Sequence, residues 1–97
     1  MVVPKSVVVG GVRMRIRYKK LASDAYGEYD HDLNEIRINS VLVTDETLFW
    51  ETLRHEVLHA SFGVSGISSL ERFEEETVVR CIENVFFPAW KRICPSP

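Results

Sequence analysis

The segment Thr44–Gly63, TDETLFWETLRHEVLHASFG, indicates how this chain folds. Its apolar residues recur at intervals of three and four, which is the spacing of one face of a helix. Thr44 offers a capping hydroxyl, and the acids Asp45 and Glu46 follow it where the positive end of the helix macrodipole favours them. Gly63 is typical of the residue that follows a helix. The sequence therefore predicts a long amphipathic helix over this segment.

The same segment contains the pattern His-Glu-x-x-His, formed by His55, Glu56 and His59. Four residues turn a helix through about 400°, so the two histidines lie one turn apart on one face and can bind the same Zn²⁺. Glu56 lies about 100° further round, where its carboxylate can reach a metal-bound water without ligating the metal. Burying these three side chains is costly unless something pairs with them. The pattern predicts a zinc site. The alternative is that both histidines lie in the core with their hydrogen bonds satisfied by neighbouring groups.

A catalytic zinc ion takes a third protein ligand and leaves one position for water. The acids of a second predicted helix are the main candidates, and a projection at about 100° per residue separates them. Glu75 falls inside the apolar arc of that helix, Glu74 at the edge of the arc and Glu76 on the polar side. A carboxylate in an apolar stripe has the greatest need of a partner. We therefore predict Glu75 as the third ligand, with Glu74 and Glu76 as alternatives because a phase error of one residue exchanges them.

Upstream of the motif helix, alternation of apolar and polar residues predicts strands. Val7–Tyr18 predicts a hairpin with a two-glycine turn, Tyr26–Tyr29 a short strand and Glu35–Asn39 another strand. The second hairpin strand directs its apolar side chains to one face of the sheet and a basic row to the other. The basic row consists of Arg13, Arg15, Arg17 and Lys19. We interpret it as a solvent-exposed sheet face, and a stripe facing DNA or substrate is the alternative.

The second helix is predicted to begin at Ser68-Ser69-Leu70-Glu71, which matches a capping box. It should extend to about Phe87, and Pro88 should kink or end it because proline removes a helical hydrogen bond. We expect Trp90 and Ile93 to fold back on the core.

The composition favours one soluble globular domain covering residues 1–97, with 45% hydrophobic and 27% charged residues. The first twenty residues hold six Lys or Arg and no acid, yet the whole chain carries a net charge of −2. This balance argues against a dedicated nucleic-acid binder. No apolar run is long enough to predict a membrane span, and the N-terminus lacks the features of a signal peptide. Nothing in the sequence indicates an oligomeric state.

Two cysteines, Cys81 and Cys94, are too few for a disulfide framework, so we expect reduced thiols and a cytoplasmic protein. We interpret Cys81 as a small core residue, and Cys94 lies in a proline-rich tail. His31 is interpreted as an exposed turn histidine. None of these three side chains is therefore a favoured metal ligand.

Taken in order, these motifs resemble a small zincin of the gluzincin type, as found in short phage and prophage proteins. The chain is more distantly similar to ImmA/IrrE-type and SprT-like metallopeptidase domains. The matching segments span about residues 5–87 and are Val9–Val12, Tyr26–Asp30, Ile36–Ile38, Thr52–Ala60 and Glu75–Val79.

The resemblance implies an α+β class with a minimal zincin-like fold. A small antiparallel-rich sheet, made of the N-terminal hairpin and one or two further strands, would pack on the motif helix and on a second, C-terminal helix. It implies His55 and His59 as zinc ligands, Glu56 as the general base and a glutamate ligand from the second helix. The expected function is a zinc-dependent metallopeptidase acting on a protein or peptide. A non-catalytic, zinc-stabilised phage or prophage binding module and a DNA-associated protease are the alternatives.

Overall fold

A computed structural model describes residues 2–22, 25–66 and 72–93. The chain is α+β and divides into two compact units, Met1–Ile67 and Ser68–Pro97. The first unit contains the strands β1 (Ser6–Val9), β2 (Val12–Lys19), β3 (Gly27–Asp30) and β4 (Glu35–Asn39), then a 3₁₀ turn (Ser40–Thr44) and the helix α1 (Glu46–Val64). The second unit contains α2 (Arg72–Cys81), a π-helical turn (Ile82–Phe86) and α3 (Phe87–Ile93).

The four strands form one mixed sheet in the order β1-β2-β4-β3. β1 with β2 and β3 with β4 are antiparallel pairs, which fits the expected antiparallel-rich sheet, but the central pair of β2 and β4 is parallel. The predicted hairpin is confirmed, and Gly10 and Gly11 form its turn with φ values of 55° and 82°. Both residues need positive φ in a two-residue turn that matches the strand twist, which is why glycine stands at each.

The core of the first unit lies between α1 and the inner face of the sheet. Alternate residues of β2 and β4 point inward, and Ile16 pairs in register with Ile36. The buried apolar side chains that form this core cluster are Val9, Met14, Ile16, Ile36, Ile38, Leu42, Phe49, Leu53 and Ala60. The predicted division of β2 into a buried apolar face and an exposed basic face is confirmed.

The ends of α1 differ in detail from the prediction. Asp45, not Thr44, caps the helix, because its carboxylate accepts a hydrogen bond of 3.2 Å from the backbone N–H of Leu48. The hydroxyl of Thr44 instead donates to the carbonyl of Val41 in the preceding 3₁₀ turn. Gly63 lies inside the helix, which ends at Val64.

On the outer face of the sheet, Arg37 holds three carboxylates together. Its guanidinium lies 2.6 Å from Glu28, 3.1 Å from Asp30 and 2.5 Å from Glu35. Glu35 is buried and also lies 3.3 Å from Arg17. The hydrogen bond from Arg37 is the main reason why the pKa of Asp30 is below its usual range. This cluster joins the edge strand β3 to β4.

Arg37→Met should lower the free energy of unfolding by about 2 kcal/mol at neutral pH, because it leaves the buried carboxylate of Glu35 with Arg17 alone. The depressed pKa of Asp30 means that its ionised form stabilises the fold above about pH 4 and that this contribution is lost as the pH falls through the folded-state pKa. Urea unfolding between pH 3 and 7 should therefore show a smaller gain in stability with rising pH for the variant. An unchanged pH profile would contradict this role of the cluster.

The second unit extends further than the sequence indicated. Pro88 does not end the helix, since α3 continues to Ile93. In the π-helical turn before Pro88, the backbone N–H of Phe87 donates a hydrogen bond to the carbonyl of Ile82. This turn is wider than an α-helical turn, so it can accommodate the ring of a proline and its lack of an N–H donor. Trp90 and Ile93 are exposed, so the expectation that they fold back on the core is wrong. The predicted start at Ser68–Glu71 lies outside the described residues.

Within the described residues, none of the helices is sufficiently long and apolar to cross a membrane.

Candidate metal centre

His55 and His59 come together in the middle of α1. Their Nε2 atoms lie 3.2 Å apart, and their ring centroids lie 4.9 Å apart. Both side chains are half-buried. The predicted placement of the two imidazoles on one helix face is therefore confirmed.

The separation of the two Nε2 atoms fits a shared metal ion. Two nitrogen ligands at about 2.0–2.1 Å from a tetrahedral Zn²⁺ stand about 3.4 Å apart. The same separation fits a single ring-to-ring hydrogen bond, in which one neutral imidazole donates and the other accepts. The histidine pair thus suits zinc by distance, by donor type and by its position at a half-buried surface.

Glu56 lies on the side of α1 that packs against the edge strand β3. Its side chain is buried, with 7% of its surface exposed. A Cβ atom at Gly27 of β3 would stand 3.1 Å from Cγ of Glu56 and 3.1 Å from Cγ2 of Thr52. The missing side chain at Gly27 therefore allows β3 to lie close over the glutamate of the motif. Sequence reasoning did not single out Gly27, although a glycine within a strand commonly marks a close approach of backbone.

A second close approach joins β3 and the following turn to the end of α1. Tyr29 Oη lies 2.8 Å from Nδ1 of His31. A Cβ atom at Gly63 would stand 2.8 Å from that oxygen and 2.9 Å from that nitrogen, so Gly63 is required for packing and not for ending the helix. Gly63 follows His59 by four residues and shares its helix face. His31 is exposed, as predicted.

In the second unit, α2 carries the three glutamates considered as ligands. Glu75 and Glu76 are half-buried, Glu74 is exposed, and Val79 is fully buried. Glu75 and Glu76 have the same burial class, so burial does not separate these two candidates. The projection used apolar residues beyond residue 81, but the π-helical turn has more residues per turn than an α-helix, so a phase of 100° per residue does not continue through it. Cys81 is exposed and is not a core residue.

The basic row of β2 lies on the open face of the sheet. Its members are exposed, which confirms the interpretation as a solvent-exposed face. A cavity of about 530 Å³ on this face is lined in part by Lys5, Arg13, Arg15 and Arg17. The alternative of a DNA-facing stripe stays a hypothesis.

The chain matches no protein-family model, no curated protein and no solved structure.

Proposed function

We propose that this protein is a zinc-dependent metallopeptidase with a minimal zincin-like domain. The observation that carries the proposal is the pair of Nε2 atoms of His55 and His59, 3.2 Å apart on one face of α1. A glutamate follows the first histidine directly and is buried beside the edge of the sheet. Two imidazoles and an adjacent carboxylate on one helix are the groups that metal-assisted hydrolysis of a peptide requires.

The third ligand is proposed to be a carboxylate of α2. The sequence predicts Glu75, which stays a prediction. Glu75 is therefore the ligand of this proposal, with Glu76 and the exposed Glu74 as its alternatives.

The chemistry follows from the side chains of the first unit. A zinc ion, when bound, lowers the pKa of its water and polarises the scissile carbonyl. Glu56 accepts the proton of the attacking water and passes it to the leaving amine. β3 is an edge strand whose outer side can pair with an extended peptide, and Gly27 brings this strand close to Glu56. A peptide added to this edge would therefore run beside the general base.

The test of the metal site is the zinc content of the purified protein. We expect about one equivalent for the wild type and its loss in His55→Ala, because a site with one imidazole and one carboxylate is too poor in ligands to hold zinc. Glu75→Gln should also lose zinc, whereas Glu74→Gln is the matched control that should keep it. Loss in Glu76→Gln or Glu74→Gln instead would reassign the third ligand. Full zinc content in His55→Ala would contradict the proposed site.

The non-catalytic binding module is the other candidate. It uses the same histidines, because a small domain with few core residues gains stability from a bound metal. A metal that only stabilises the fold has no use for a general base. The two functions therefore differ at Glu56, where the first prediction of the Discussion separates them.

A further inference from the structure

The outer face of the sheet carries a line of positive charge along β2. Its members are the exposed side chains of Arg13, Arg15, Arg17 and Lys19. Alternate residues of a strand stand about 6.6–6.8 Å apart, so the line from Arg13 to Lys19 is about 20 Å long. Like charges at this spacing repel one another, and an anion bound along the line would relieve that repulsion.

Two cavities make this part of the face concave. One of about 530 Å³ is lined in part by Lys5, Arg13, Arg15 and Arg17, and one of about 550 Å³ is lined in part by Lys5, Arg15, Arg17 and Lys19. Because three cations line both cavities, the two adjoin along the strand, and we call them together the basic groove. A concave surface of one charge sign concentrates the electrostatic potential. Its length suits an extended chain of negative charges better than a single small anion.

The protein neutralises little of this charge itself. Among the described residues that line the basic groove, Glu35 is the one carboxylate, and it lies 3.3 Å from Arg17 and is also held by Arg37. The guanidinium of Arg13 donates to the uncharged hydroxyl of Ser6. Most of the positive charge in the basic groove therefore has no acidic partner within the described part of the chain.

The density of negative charge on the ligand separates the candidate polyanions. An extended acidic peptide presents at most one side chain every 6.6–6.8 Å, or about 7 Å, on one face. One strand of a DNA duplex presents a phosphate about every 3.4 Å along the helix axis. Arginine binds phosphate through paired hydrogen bonds from its planar guanidinium. An arginine-rich groove thus gains more contacts from a nucleic-acid backbone than from an acidic peptide.

The aromatic content of the basic groove separates duplex from single-stranded nucleic acid. Among the groove residues that the structure describes, Tyr18 is the one aromatic residue. Its ring stacks on Phe49 in the core, and its hydroxyl donates to the carbonyl of Pro4. Single strands are commonly held by bases that stack on aromatic side chains. A groove without an available ring suits a duplex, whose phosphates are exposed and whose bases are already stacked.

We propose that the basic groove binds the phosphate backbone of a nucleic-acid duplex without preference for base sequence. The net charge of −2 does not oppose this role, because the first twenty residues hold six Lys or Arg and no acid. The basic groove lies on the outer face of the sheet, whereas α1 with His55 and His59 packs against the inner face. The binding uses none of the proposed metal ligands, so it stands or fails separately from the proposed peptidase.

Fluorescence anisotropy of a labelled DNA duplex of about 20 base pairs, titrated with the full chain, tests the proposal. About four phosphate contacts predict a slope of about −3.6 in the logarithm of the affinity against the logarithm of the salt concentration. The affinity should therefore fall roughly 150-fold between about 50 and 200 mM salt. A duplex of unrelated sequence should bind equally. The absence of binding at the lowest salt concentration, or an affinity that salt does not change, overturns the proposal.

Arg15→Gln tests the groove itself, because Arg15 is exposed and lines both cavities. It should weaken binding about tenfold at low salt and reduce the salt slope by about 0.9. Arg92→Gln is the matched control, since it removes the same charge from an exposed arginine of α3, outside the sheet. Circular dichroism checks that both variants keep their fold. Equal losses in the two variants would mean that net charge and not the basic groove binds the duplex, which overturns the proposal.

Competition against the labelled duplex identifies the occupant. The competitors are an unlabelled duplex, a single strand of the same length and a poly-glutamate peptide of equal charge. We expect the unlabelled duplex to displace the probe at the lowest concentration. Displacement at a lower concentration by the peptide would assign the basic groove to an acidic protein, and displacement at a lower concentration by the single strand would assign it to unpaired nucleic acid. Either result overturns the proposal.

Discussion

Glu56→Gln should abolish peptide hydrolysis while leaving the zinc content and the fold unchanged. Glutamine has almost the same shape as glutamate but does not accept the proton of the attacking water. Loss of a positioned general base lowers the rate by about 10²–10⁴-fold. The side chain is buried beside β3, and the amide fills the same space there, so we expect little change in stability.

The measurement is the release of fluorescent peptides from denatured, labelled casein and from a randomised peptide library, with zinc content determined on the same samples. Glu51→Gln is the matched control, because Glu51 is an exposed glutamate of α1 outside the motif and its change should not alter the rate. Equal rates in Glu56→Gln and the wild type would exclude the general-base role. A fully zinc-loaded wild type that cleaves nothing would favour the non-catalytic module.

Phe49→Ala should lower the free energy of unfolding by about 3–5 kcal/mol, the usual cost of removing a buried phenylalanine side chain. Phe49 has no exposed surface and lies where α1 meets the sheet. Its ring stacks with Tyr18 of β2 at a centroid distance of 6.0 Å and meets Trp50 edge-on at 4.9 Å. The alanine variant leaves a cavity between helix and sheet that the surrounding side chains fill only in part.

Urea unfolding followed by circular dichroism measures this loss. The matched control is Trp50→Ala, because Trp50 is the next residue of the same helix but is 43% exposed. Its larger ring should matter less, since it loses less buried area. A typical domain has only about 5–15 kcal/mol of stability, so Phe49→Ala should leave much of the protein unfolded at modest urea concentrations. Equal effects of the two substitutions would show that the core lies elsewhere.

The elements that depend on local sequence were predictable. Alternation in β2 and β4 and the three-to-four spacing of α1 each follow from a single segment, and Glu35–Asn39 agrees with the observed strand residue for residue. The parallel pairing of β2 with β4 was not predictable, because it depends on β3 taking the outer position beyond β4. The sequence of β2 alone does not indicate which strand pairs with it.

The same distinction holds for the candidate site. The approach of His55 to His59 is fixed by four residues of one helix and needs no tertiary information. The phase of α2 is different, because the apolar residues used to orient it lie on both sides of a π-helical turn that the sequence did not reveal. Gly63 was predicted to follow the end of the helix, which is the usual position of glycine. It lies inside the helix instead, where the close approach of Tyr29 leaves no room for a side chain.

The gap at Gly27 makes the distance between the edge strand and the motif helix adjustable in small steps. A methyl group there would press on Glu56 and Thr52 at 3.1 Å and on the carbonyl oxygen of Arg37 at 3.2 Å. Alanine, serine and valine at this position would widen the spacing between β3 and α1 in steps. Such a series would show how the packing around the Glu56 side chain depends on that spacing.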